Sequence, residues 1–209
     1  MDTMNKVYTC EELFDMGIKF HHYTNTAYPL RVNSLQEYEL HDTNEISNVV
    51  AENIKNQDVI NLYVHVPYCK TRCKFCEYVV LNDPYEESQD KYTDYLLNEI
   101  EMYRKLVKDI PVVGYDLGGG TPLYLSNDNL KRITEKIKTF NFKPGTTWSV
   151  ETTPVIAANE PEKIRFIKEL GYERISMGFQ TVSASLLENL GREGSPFIYE
   201  RAVKNIRDA

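Results

Sequence analysis

Apolar and polar positions change period several times along this chain. Ile60 to Val66 alternates, with Leu62, Val64 and Val66 on one side, the mark of a strand with a buried face. Residues 89–108 switch to helical spacing, with Tyr92, Tyr95, Leu96, Ile100, Tyr103 and Val107 recurring three or four places apart. Val112 to Leu117 is a second short apolar run, followed at once by Gly118-Gly119-Gly120-Thr121-Pro122. Ser126 suits the N-cap of a second helix, with Leu130, Ile133, Ile137 and Phe140 on one face. Trp148 to Glu151 predicts a third strand. Pro161 starts a third helix, which buries Ile164, Ile167 and Leu170 and stops at Gly171. Arg174 to Met177 predicts a fourth strand, ending at Gly178. A short helix with Leu186, Leu187 and Leu190 stops at Gly191, and Ser195-Pro196 opens a last helix through Ile206.

Strands alternating with helices across short loops predict an α/β fold with a parallel sheet. Ligands of such sheets gather at the carboxyl ends of the strands. Four chemically distinctive stretches fall there. They are the cysteine loop after strand one, the glycines after strand two, Glu151 closing strand three and Gln180 after strand four. Residues 60–209 form this core, and residues 1–59 precede it as an arm. In the arm, Cys10 to Phe20 has the spacing of a short amphipathic helix, and residues 34–55 are expected to be helical in part. Most of the 15 tyrosines stand at helical apolar positions, where core packing is their default role.

Composition narrows the classes. With 209 residues, 42% hydrophobic and 26% charged, the chain is globular and long enough for one sizeable core. The net charge of −7 and the lack of a Lys/Arg-rich run argue against a grip on nucleic acid. No apolar run approaches the ~18 residues of a membrane span. The N-terminus lacks the basic-then-apolar order of a signal peptide, so a cytoplasmic setting is expected. Three of the 4 cysteines, Cys69, Cys73 and Cys76, stand as C-x3-C-x2-C directly after strand one. Thiolates so close on one loop suit a soft metal or an iron–sulfur cluster. A zinc site completed by His65 and a set of unliganded core cysteines are the alternatives. Cys10 reads as an ordinary small apolar residue, His65 as a hydrogen-bonded core histidine and His21-His22 as an exposed pair. The glycine run is either a plain turn or a close approach to a ligand. Glu151, Tyr63, Gln180 and Arg192 each admit a structural role beside a ligand contact, Arg192 as a helix-end cation.

Four segments together carry a family likeness. They are Tyr63-Val64-His65-Val66-Pro67-Tyr68-Cys69 with the cysteine triplet, Gly118 to Pro122, Glu151-Thr152-Thr153-Pro154, and Arg174 to Thr181. Leu190-Gly191-Arg192 fits the segment that follows. Over about residues 60–195 the chain resembles radical S-adenosylmethionine proteins, and among them the oxygen-independent coproporphyrinogen III oxidase group. The resemblance implies a partial (β/α) TIM-like barrel with about four of the family's six strand–helix units present. It implies a [4Fe–4S] cluster on Cys69, Cys73 and Cys76, with its fourth iron chelated by S-adenosylmethionine. One electron would then cleave the sulfonium and release a 5′-deoxyadenosyl radical.

By matching position, Tyr63, Gly119, Gly120, Thr121 and Glu151 would hold that cofactor. Phe75, Gln180 and Arg192 match contacts to a second S-adenosylmethionine. The implied reaction is oxidative decarboxylation of two propionates in haem biosynthesis, with a porphyrin-like substrate and an electron donor such as flavodoxin or ferredoxin. Haem chaperones, radical methyltransferases and haem-degrading enzymes resemble the chain equally well; for a chaperone, His21, His22 and His41 are the candidate axial ligands. Departures from the group are Glu77, where the oxidase has glycine, and an end at Ala209, after the fourth unit, where relatives run to roughly twice the length. An inactive fragment, or a chain that needs an oligomer or partner to cover the open barrel edge, is the reading those departures raise.

Overall fold

The computed structural model describes residues 43–76, 78–82 and 85–209. The helix expected within Cys10 to Phe20, together with Cys10, His21, His22, His41 and Glu77, lies outside the described residues. Two compact units divide the chain, Met1–Val49 and Val50–Ala209, and the sheet belongs to the second. Helix α1 (Thr43–Lys55) falls within the stretch expected to be partly helical.

Strands β1 (Ile60–Val66), β2 (Val112–Gly119), β3 (Trp148–Thr152) and β4 (Arg174–Met177) form one sheet in the order β1-β2-β3-β4. Every neighbouring pair is parallel. Helix α2 (Glu86–Val107) joins β1 to β2, and α3 (Asn127–Ile137) joins β2 to β3. Two helices, α4 (Pro154–Asn159) and α5 (Pro161–Leu170), join β3 to β4. After β4 come α6 (Ala184–Asn189) and α7 (Tyr199–Asp208). Strands laid down in sequential order, with crossovers of one hand, keep their helices on one face and make a barrel wall.

The two faces of the sheet differ accordingly. Val66, Leu117 and Val150 are each 0% exposed and pack with Leu130, Ile133, Ile164 and Ile167 of the helices. The opposite face is polar. Register places Tyr63, Asp116, Ser149 and Arg174 in one row across the sheet, with Glu151 beside Ser176 one step further along. That second row lies nearer the carboxyl ends, where the loops open.

Local chemistry sets the element ends. Ser126 Oγ accepts from Asn129 N at 3.2 Å and caps α3. Gly171, at φ 106°, closes α5 in the left-handed conformation. Helix α4 is absent from the hydrophobic pattern because its six residues are too few to show a period. Its start is nonetheless written in Thr153-Pro154: Thr153 Oγ1 accepts from Ile156 N at 3.3 Å. Its far end is held by Asn205 of α7, whose Nδ2 donates to Ala157 O (2.9 Å) and Ala158 O (3.1 Å).

Strand β2 runs on through the first two glycines of the triplet because Gly119 still pairs with Val66. The expectation of buried tyrosines needs correction on α2, where Tyr95 is 66% and Tyr103 43% exposed. A phenol can lay its ring along the edge of an apolar stripe and leave its hydroxyl in water.

Candidate functional site

The cysteine loop begins where β1 ends and is stitched in place by backbone bonds. Leu81 N donates to Pro67 O (2.7 Å) and Cys69 N to Leu81 O (3.1 Å), which folds the loop back on itself. Gly120 N donates to Val66 O (2.8 Å) and Thr121 N to Tyr68 O (2.7 Å), which ties the glycine turn of β2 against it. Gly119 takes φ +116°, a conformation that L side chains avoid. Its N–H donates to Glu151 Oε2 at 3.1 Å. The ends of three strands are thereby joined around one opening.

That opening is a cavity of about 300 Å³. Cys69, Cys73 and Cys76 border it, as do Phe75, Gly119, Gly120, Thr121, Glu151, Gln180 and Arg192. All but one of the site residues read from the sequence therefore meet here. The exception is Tyr63, 56% exposed on the polar face of β1 and absent from the cavity wall. A Cβ added at Gly118 would sit 2.9 Å from Tyr63 Cε2 and 2.9 Å from Glu151 Cδ, so the ring and the carboxylate flank Gly118 beside the cavity. Burial, and then the Glu151 carboxylate, push the Tyr63 phenol up to about 12.

Arg192 reaches the cavity from the turn after α6. Its Nη2 donates to Gly178 O at 2.6 Å and its Nη1 lies 3.5 Å from Cys73 Sγ. Gly178 leaves the room this needs, since a Cβ there would fall 2.5 Å from Gln180 Nε2 and 2.8 Å from Arg192 Nη2. Gln180 itself stands at φ 64°, a strained value for a side-chain-bearing residue and one that nothing in the sequence signals. Tyr78, Tyr124, Ser176 and Glu193 also border the cavity and were not singled out by sequence reasoning. Ser176 lies within the segment Arg174 to Thr181 that carries the family likeness, and its place beside Glu151 follows from the β3–β4 register. The other three become recognisable only once distant loops meet.

Among the described residues, no three His, Cys, Asp or Glu side chains converge closely enough to hold a single metal ion. His65 lies away from the cavity, its Nε2 3.4 Å from Val79 O and its ring between those of Tyr63 and Tyr78. Among the described residues the zinc alternative thus has no fourth ligand. A polynuclear cluster spaces its thiolates further apart than one ion does, and three thiols around a shared cavity fit such a group. Two further observations agree. A Cβ at Gly120 would intrude to 3.0 Å from Cys69 Sγ. The Thr152 Oγ1 at the cavity wall is buried without a hydrogen-bond partner. Burial pushes the Cys69 thiol up, while Thr121, whose Oγ1 lies 3.4 Å from Sγ, opposes that rise.

Comparison with known proteins agrees with the geometry. A family model described as the radical SAM superfamily matches residues 63–209. The oxygen-independent coproporphyrinogen III oxidase of Helicobacter pylori is 28% identical over 190 residues, covering 88% of this chain and 40% of the relative. The heme chaperone HemW of Bacillus subtilis is 34% identical over 139 residues, covering 62% of this chain and 34% of the relative. Coproporphyrinogen III oxidase (HemN) from Escherichia coli, described as a radical SAM enzyme, superposes with a TM-score of 0.70 at 24% identity, over 77% of this chain and 37% of that one. That likeness is one of fold, and it identifies the four-stranded sheet as part of such a barrel. The chain spans at most 40% of the length of these relatives.

Proposed function

The chain belongs to the radical SAM superfamily, and from that premise we propose that Cys69, Cys73 and Cys76 hold a [4Fe–4S] cluster whose remaining iron is left to S-adenosylmethionine. The observation that carries this reading is the shared cavity: three thiols and, among the described residues, no fourth cysteine or histidine in its wall. When bound, the cluster and S-adenosylmethionine supply one-electron cleavage of a carbon–sulfur bond and, from it, radical chemistry. The chain's own residues bind, orient and enclose. Backbone groups at Gly119, Gly120 and Thr121 line the cavity without bulky side chains in the way. Glu151 accepts from ligand hydroxyls with the carboxylate oxygen that Gly119 N–H does not occupy. Tyr63 extends that wall along the polar face, and Phe75, Gln180 and Arg192, which border the same cavity, would take a second S-adenosylmethionine.

For the reaction, a coproporphyrinogen-like oxidative decarboxylation is the reading favoured here, fed by an electron donor of the flavodoxin or ferredoxin kind. It is supported by the likeness to the oxidases and by exposed aromatic rings beside the cavity, Phe75 at 46% and Tyr78 at 58%. Such rings suit a flat, conjugated substrate. The second reading is a haem chaperone, favoured by the likeness to HemW. Radical methylation and haem degradation are the other reactions that the same cofactor site would serve. Val182 (81% exposed) and Phe197 (92%) stand in the segments that follow β4, the sheet's last strand. An additional strand–helix unit or a second copy of the chain would cover them, and sedimentation reads that out.

The test is anaerobic reconstitution with iron and sulfide, then reduction with S-adenosylmethionine. Formation of 5′-deoxyadenosine supports the enzyme; haem binding without it supports the chaperone. A four-iron absorbance retained in Cys73→Ala, or zinc in anaerobically purified protein, removes the reading altogether.

A further inference from the structure

Glu193 lies next to Arg192, and its carboxylate joins three segments far apart in sequence. Oε2 accepts from Tyr124 Oη at 2.9 Å, in the turn after the glycine run. Oε1 pairs with Lys70 Nζ, the residue after the first cysteine of the loop. The side chain of Glu193 is only 22% exposed, whereas that of Lys70 is 62% exposed. The half-buried bond to Tyr124 is therefore the firmer of the two, because water competes less for it. A second tie runs beside it: Lys74 N, between the second and third cysteines, donates to Leu190 O at 2.9 Å. The turn 190–193 thus grips the cysteine loop at both Lys70 and Lys74. Between those two grips, Arg192 Nη1 lies 3.5 Å from Cys73 Sγ.

We propose that Glu193 is a positioning residue, whose carboxylate, held between Tyr124 and Lys70, fixes the Arg192 turn and the cysteine loop as one wall of the cavity. Both of its carboxylate oxygens are engaged by protein partners. It sets where Cys73 and Arg192 stand before iron or a small molecule arrives. The cluster readouts below rest on the proposed [4Fe–4S] reading, and the thiol readout does not.

The first experiment follows the full chain without metal. Iodoacetamide should alkylate Cys73 several-fold faster in Glu193→Ala than in the parent protein, with the melting temperature lowered by only a few degrees. Glu193→Gln, which keeps an acceptor for Tyr124, should restore most of the protection, and Tyr124→Phe should lose part of it. The second experiment uses reconstituted protein. Glu193→Ala should bind S-adenosylmethionine several-fold more weakly, because the Arg192 turn is no longer held, read from the change it causes in the electron paramagnetic resonance of the reduced cluster. In an Arg192→Ala background the same substitution should add nothing further. Unchanged Cys73 reactivity in both Glu193→Ala and Tyr124→Phe overturns the proposal, as does a loss of affinity that simply adds to that of Arg192→Ala. If the parent protein takes up no four-iron cluster, the functional reading fails, and the thiol experiment still decides the role of Glu193.

Discussion

The backbone N–H of Gly119 donates to Glu151 Oε2 at 3.1 Å, so the carboxylate that ends the polar face of β3 is anchored on the glycine run of β2. One carboxylate oxygen is spent on structure, which leaves the other for a ligand. Glu151→Ala should then cost about 1 kcal/mol of stability through the lost bond. It should weaken S-adenosylmethionine binding by a larger factor, roughly 10- to 100-fold. Chemical denaturation and anaerobic calorimetry separate the two effects.

Gly178 offers the converse case. The atoms that a new Cβ would meet are the far ends of Gln180 and Arg192, which can swing aside. Gly178→Ala should therefore cost no more stability than the loss of one hydrogen bond, about 1 kcal/mol. The displaced guanidinium gives up its bond to Gly178 O, and ligand affinity at that wall should fall. A large loss of stability with intact binding would contradict the geometry.

Alkaline pH should unfold the protein through its tyrosines. Burial pushes the phenols of Tyr63 and Tyr92 up to about 12 and that of Tyr115 well above its usual 10. The folded chain then keeps protons that the unfolded chain has already released. Their contribution is complete below pH ~10 and is lost as pH rises toward ~12. Melting temperature measured from pH ~8 to ~11.5 should fall over the upper part of that range, with the tyrosinate absorbance of the buried phenols appearing only together with unfolding.

The sheet's centre should be the most sensitive part of the core. Leu117 is 0% exposed on β2, between β1 and β3. Leu117→Ala should cost about 3 kcal/mol, from lost burial and an unfilled cavity. Urea unfolding should show a lower midpoint at unchanged slope.

Much of the fold is legible in order because each signal is local. The alternation at Ile60–Val66, the Ser126 cap and the Gly171 stop depend on neighbours a few residues away, and each element forms where those marks stand. Helix α4 was missed for the same reason in reverse: at six residues it shows no period, and its far end is capped by Asn205 from α7. The tyrosines of α2 were misjudged because apolar spacing marks the stripe and its borders alike.

The cysteine triplet, the glycine run, Glu151, Gln180 and Arg192 were readable without coordinates, since parallel strand–helix units send every strand end to the same edge. Amino-acid order thus determined which residues could meet and the family to which they belong. It did not determine that Tyr63 would stand beside the cavity rather than in it, that Gln180 would be held at positive φ, or that Glu193 would bridge Tyr124 and Lys70. Those depend on distances between segments dozens of residues apart, which arise only when the helices pack and the sheet takes its register.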